Sequence, residues 1–190
     1  VANCHFHDLS KVALELRGGG YVFHNFFKND GTRNFNNAIR QTFFDGTIEF
    51  NIISIGGASN GIEVEIGQSV IGNVIYSNGG TGLGIRATAA TGMFVAVLNN
   101  IIESFSGVGG KGFELPVSDN VYVYGHNKFF NNETHENLSG DVLVNLGNNT
   151  VLGASPFVNP AGDDFRVDTS VKAGAYPSRF KGASTNQFLD

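Results

Sequence analysis

One short phrase keeps returning in this chain. It is an Asn, two β-forming residues, a polar or Gly-rich turn, and then an alternating strand. Two copies lie side by side as "EFNIISIGGASNGIEVEIG" from Glu49 and "IGNVIYSNGGTGLGIRAT" from Ile71. Others are "FHNFFKNDG" from Phe23, "LNNIIESFSG" from Leu98 and "GHNKFFNNETHENLSG" from Gly125, and "VANCHFHDLS" opens the chain. Aligned on the residue before each β-forming pair, the positions are Cys4, Asn25, Asn51, Asn73, Asn100 and Lys128. The steps between them are 21, 26, 22, 27 and 28 residues. Asn fills four of the six places, and Asn3 and Asn127 stand one position earlier in the other two. A period of this length is the mark of a solenoid, in which each unit buries its apolar side only by stacking on the next.

Each unit carries two more strands. The second reads "ALELR", "AIRQTF", "GIEVEI", "GLGIRA", "GFELPV" and "DVLVNL" in successive units; the third includes "YVFHN", "TIEFN", "SVIGN", "FVAVLNN" and "VYVYGHN". Three short strands per unit, with no helical segment, predict parallel stacking of coils about 4.8 Å apart. The predicted coils occupy residues 1–153, and residues 154–190 form a C-terminal closing segment and tail. Composition agrees. Only 15% of residues are charged and 26 are Gly, which suits a turn-rich β architecture and not a helical bundle. The net charge of −5 speaks against a nucleic-acid partner. The single Cys4 excludes an internal disulfide framework. No apolar run reaches the roughly 18 residues of a membrane span.

The repeat resembles the right-handed parallel β-helix of the pectin-lyase-like superfamily over nearly the whole chain. The resemblance implies an all-β solenoid of six to seven coils with three strands per coil. It also implies an asparagine ladder at Asn25, Asn51, Asn73 and Asn100, and an inner stack at Phe27, Ile53, Ile75, Ile102 and Phe130. "SPFVNPAGDDFRV" near the C terminus resembles the closing phrase of uncharacterised β-helix proteins.

Strand alternation places Leu14, Ile62, Val64, Leu83, Ile85, Phe113 and Leu115 inside, and Glu15, Arg17, Arg40, Glu63, Glu65, Arg86 and Glu114 outside. In β-helix lyases an acidic cluster holds Ca²⁺ against a uronate while an Arg or Lys takes a proton. Glu63, Glu65, Arg40 and Arg86 are the catalytic candidates by that resemblance, with Ca²⁺ as the cofactor if the chain is a lyase and none otherwise. The same residues also suit a ladder of ion pairs across coils. The Asn-Thr-Asp, Asp-Asp and Gly-His-Gly set of polygalacturonase-like enzymes is not found on successive coils, so the sequence carries no complete catalytic motif.

His5 and His7, on one strand face with Asp8 near, are metal candidates. Tyr76, Tyr122 and Tyr124 are candidates for stacking on sugar rings, the last two as the lining of an outer groove. The Gly-rich "YSNGGTGLGIRAT" is not a phosphate loop, because a strand rather than a helix follows it. Gly84 is expected in the outward column, leaving open backbone for a ligand beside Arg86. These features predict an extended module for structure and glycan recognition, in a virion appendage or a secreted or cell-surface protein. The alternatives are a polysaccharide lyase, hydrolase or epimerase, and a non-binding oligomeric shaft. The partners expected are a polysaccharide or cell-surface glycan, further copies in a trimer, or a subunit covering the first coil. Neither nucleic acid nor membrane is expected.

Overall fold

The computed structural model describes residues 1–29, 35–42, 45–65, 67–88, 94–115, 121–138, 142–147 and 149–167. It is a parallel β-solenoid with three strands per coil. The first sheet stacks seven strands: His5–His7, Phe26–Lys28, Ile52–Ile55, Val74–Ser77, Ile101–Glu103, Lys128–Phe130 and Thr150–Val151. The second stacks six: Lys11–Leu16, Phe35–Gln41, Asn60–Val64, Leu83–Ala87, Lys111–Leu115 and Thr134–Leu138. The third also stacks six: Gly20–Phe23, Gly46–Glu49, Gln68–Ile71, Phe94–Leu98, Val121–Gly125 and Val142–Asn145. The stack climbs about five turns, fewer than the six to seven coils expected. Six stacked strands are separated by only five steps.

The asparagine ladder runs through the corner that enters the first sheet. Asn25 Nδ2 donates to Asn51 Oδ1 at 3.0 Å, Asn51 to Asn73 at 3.0 Å, Asn73 to Asn100 at 3.1 Å, Asn100 to Asn127 at 3.1 Å and Asn127 to Asn149 at 3.2 Å. Each Oδ1 also accepts the backbone N–H of the preceding rung. From Asn25 to Asn127 each Nδ2 also reaches a carbonyl of its own or the preceding coil, as Asn51 does at Val22 O. The residues before Asn25, Asn51, Asn73, Asn100 and Asn127 are left-handed, as is Asn3 before Cys4 at the same corner of the first coil: Asn3, His24, Phe50, Gly72, Asn99 and His126 have φ between 53° and 66°. Asn and His tolerate that region better than most residues, and at Gly72 a Cβ would lie 2.5 Å from the Phe50 ring.

Two sequence alignments need correction by one place. Asn127, not Lys128, is the rung, and Phe129, not Phe130, joins the inner stack under Ile102. A one-residue slip exchanges the two faces of a strand, so Phe130 turns outward beside Glu103. The inner stack begins at Phe6 and Phe27, whose rings lie parallel 4.7 Å apart. It continues through Ile53, Ile75, Ile102 and Phe129, each 1% exposed or less.

The outer face of the first sheet is apolar too. Phe26, Ile52, Val74 and Ile101 form a column there. The C-terminal hairpin, Phe157–Asn159 and Asp164–Val167, covers it. It is joined by a 3₁₀ turn at Pro160–Gly162, and Phe157 and Phe165 are buried against Ile52, Val74, Tyr76 and Ile101. Asp163 pairs with Lys28 and accepts from Ser54 Oγ at 3.0 Å. The closing segment is therefore a strap along the side of the stack, running back from the last coil to the second. The expected tail beyond Val167 lies outside the described residues.

Asn73→Ala would take from the backbone N–H of Asn51 its acceptor and from Asn51 Nδ2 one of its three, and would remove the Asn73 donations to Ile48 O and Asn100 Oδ1. A loss of about 3 kcal/mol or more is expected in urea denaturation. Asn149→Ala, at the half-exposed end of the ladder, is expected to cost about 1 kcal/mol.

Candidate functional site

The outer face of the second sheet gathers most of the charges singled out in the sequence. Register aligns Glu15, Arg40, Glu63, Arg86 and Glu114 in one column across five coils. Arg40 sits among three carboxylates, with Nε 3.0 Å from Glu63, Nη2 3.2 Å from Glu65 and Nη1 4.0 Å from Glu15. Arg86 lies 4.0 Å from Glu63 and 3.5 Å from Glu114. Lys111 and Asn137 both donate to Glu114. The result is a continuous alternation of sign along the solenoid axis.

Its electrostatics follow from burial and pairing. The Glu63 side chain is only 10% exposed and lies between two guanidiniums. Burial by itself would raise the Glu114 carboxyl. The hydrogen bonds from Lys111 and Asn137 and the charges of Lys111 and Arg86 outweigh that and hold it below its ordinary range. The Nε atoms of Arg40 and Arg86 are close to carboxylates but off-line, so neither makes a hydrogen bond there. Arg86 remains 43% exposed. The face thus offers fixed guanidinium donors beside carboxylate acceptors, suited to hydroxyl-rich or charged ligands.

The remaining candidates fall elsewhere. Gly84 is buried and belongs to an inward column with Gly61 and Gly112, two residues away from the place expected of it. A Cβ on Gly84 would lie 2.4 Å from Gly112 O and 2.5 Å from Ile102 Cγ2, so this glycine permits close packing and opens no surface. Arg86 holds the outward place assigned to it. Leu83, expected inside, is half-exposed opposite Lys111. Tyr122 and Tyr124 point inward, 0% and 6% exposed, and line no outer groove. In "VYVYG" both faces are apolar, so alternation could not decide between them. Pairing with Val95 and Val97 does. Tyr76 faces outward but lies under the hairpin, 6% exposed, with its ring 6.0 Å from that of Phe165.

His5 and His7 share the outward face of the first strand, with ring centroids 5.4 Å apart, and His7 Nδ1 is 3.1 Å from Asp8. Among the described residues no three His, Cys, Asp or Glu side chains come together to hold a metal ion.

Two groups escaped the sequence reading. Glu136 occupies the inward column below Phe113 and hydrogen-bonds Asn149, so the last coil turns polar inside. Burial raises its carboxyl, and the Asn149 bond opposes the rise. Glu103 is buried beneath the strap at 2% exposure. The doubly apolar pairs Phe26–Phe27, Ile52–Ile53, Val74–Ile75 and Ile101–Ile102 were the available signal, since a strand apolar on both faces needs a cover on each.

The site and fold define a parallel β-solenoid with a charged lateral face. Comparison of the chain with protein families, curated proteins and solved structures gives no match.

Arg40→Ala would leave Glu15, Glu63 and Glu65 facing one another. A loss of about 1–2 kcal/mol is expected in urea denaturation at low salt, smaller in high salt. The lowered Glu114 carboxyl sets the pH sense. Its contribution is present above the ordinary carboxylate range and disappears as pH falls through the lowered value. Glu114→Gln is expected to flatten that part of the acid-denaturation profile.

Proposed function

We propose that this chain is a structural and recognition module of the pectin-lyase-like, right-handed β-helix type, presenting the outer face of its second sheet to a glycan. A virion appendage or a secreted or cell-surface protein is the setting such a module suits. The observation carrying this reading is the ladder Glu15–Arg40–Glu63–Arg86–Glu114. It repeats charged donors and acceptors at five successive coils of a rigid sheet, as a polymer with repeating hydroxyl or carboxylate groups would require. With Tyr76, Tyr122 and Tyr124 buried, recognition would rest on polar contacts rather than ring stacking.

A glycan array is expected to show binding that falls at least tenfold in Arg86→Ala and Glu63→Gln. Silence across neutral and acidic glycans would overturn the reading. The same protein incubated with uronic-acid polymers separates the enzymatic alternative, in which unsaturated products would accumulate and vanish in the same variants.

An oligomeric shaft has its own support in the third sheet. Tyr21, Phe94, Val121 and Val144 are exposed on its outer face, with Ile71, Leu98 and Val123 half-exposed beside them. Exposed apolar patches of this kind mark association surfaces. Light scattering decides: a trimer would support the shaft, and a monomer at high concentration would remove it.

A further inference from the structure

We propose that the C-terminal hairpin is a proton-controlled strap, docked on the first sheet while Glu103 is neutral and released when Glu103 ionises.

Glu103 ends its strand in the first sheet and points outward, between Tyr76 on one neighbouring strand and Phe130 on the other. In most solenoid sheets such a residue would meet water. Here the chain returning from the last coil passes over it, and the side chain is almost wholly enclosed. Ser155, two residues before the hairpin, hydrogen-bonds the carboxyl, while Oε2 has no hydrogen-bond partner. A neutral carboxyl tolerates that enclosure far better than an ionised one.

The surrounding groups do little to hold a negative charge. Asp163, on the hairpin turn, is paired to Lys28 and Ser54. Tyr76 lies alongside, its hydroxyl raised by burial and then by Glu103 and Asp163, so it titrates far above the range that matters. Lys128, on the next strand, donates to Thr150 Oγ1 at 3.0 Å, and burial lowers its pKa. His5 and His7 stand on the same face in the first coil, four coils from Glu103. Burial pushes the Glu103 carboxyl from 4.5 to about 7, with the Ser155 bond opposing.

The direction of the effect follows. With the strap lifted, Glu103 meets water and returns to the ordinary carboxylate value. Docking therefore favours the protonated form. It is complete below about pH 4.5 and weakens as pH rises through about 7.

The test uses the full chain and hydrogen-exchange protection factors, which remove the intrinsic pH dependence of exchange. Between pH 5 and pH 8, protection of Phe157–Asn159 and Asp164–Val167 is expected to fall by roughly fifty- to a hundredfold. Amides of the Ile53 and Ile75 strands should hold constant. In Glu103→Gln the hairpin should stay protected throughout. Protection that does not change with pH in the native chain, or the same pH dependence in Glu103→Gln, would overturn the proposal. Should that variant fail to fold, carbon-13 titration of the native Glu103 carboxyl decides. A midpoint near 7 supports the strap, and one near 4.5 refutes it.

Discussion

A buried asparagine amide has two donors and one acceptor oxygen that must be satisfied, and the ladder from Asn25 to Asn149 satisfies them from coil to coil. Each rung takes the backbone N–H and side-chain amide of the coil before it and gives its own to the coil after. That reciprocity fixes the height of every coil at one corner. It also holds the left-handed residues that precede the rungs, a conformation costly for side chains such as Phe50. Steps of 21 to 27 residues are then accommodated at the other two corners, where the links between successive strands vary in length.

Once the coils are registered, the three outer faces diverge. The first is apolar and is covered by the chain's own hairpin through Phe157 and Phe165. The second is charged and internally paired, so it can face water as a rigid polar surface. The third is largely apolar and open, with Glu49 the charged residue among its described outward positions. One architecture thus supplies a strapped face, a charged face and an open apolar face. The differences come from which residue types occupy the outward columns, since the backbone is nearly the same on all three sides.

Much of the solenoid was legible in the residues. The recurring Asn before paired β-formers located the corner, and "GIEVE" placed Glu63 outward and Ile62 and Val64 inward. Alternation works there because one face is polar. It failed at "VYVYG" and "NKFF", where neighbouring residues do not differ enough in polarity to name a face. It failed at Gly84, because glycine has no side chain with which to declare a direction. Glu103 was illegible for a different reason: the segment that buries it arrives about fifty residues later in the chain.

The sequence by itself determined that the chain would wind into a stack of parallel coils, with an asparagine corner and a charged ladder on the second sheet. Periodicity and alternation are local properties and survive without knowledge of contacts. Only the tertiary structure decided which rung Asn127 occupies, that Tyr122 and Tyr124 belong to the core, and that Glu103 and Tyr76 lie under the strap. Those outcomes depend on registers between strands 22 to 27 residues apart and on the fold-back of Ser155–Val167. No local pattern encodes them, because the burial that sets them is created by residues distant in the chain.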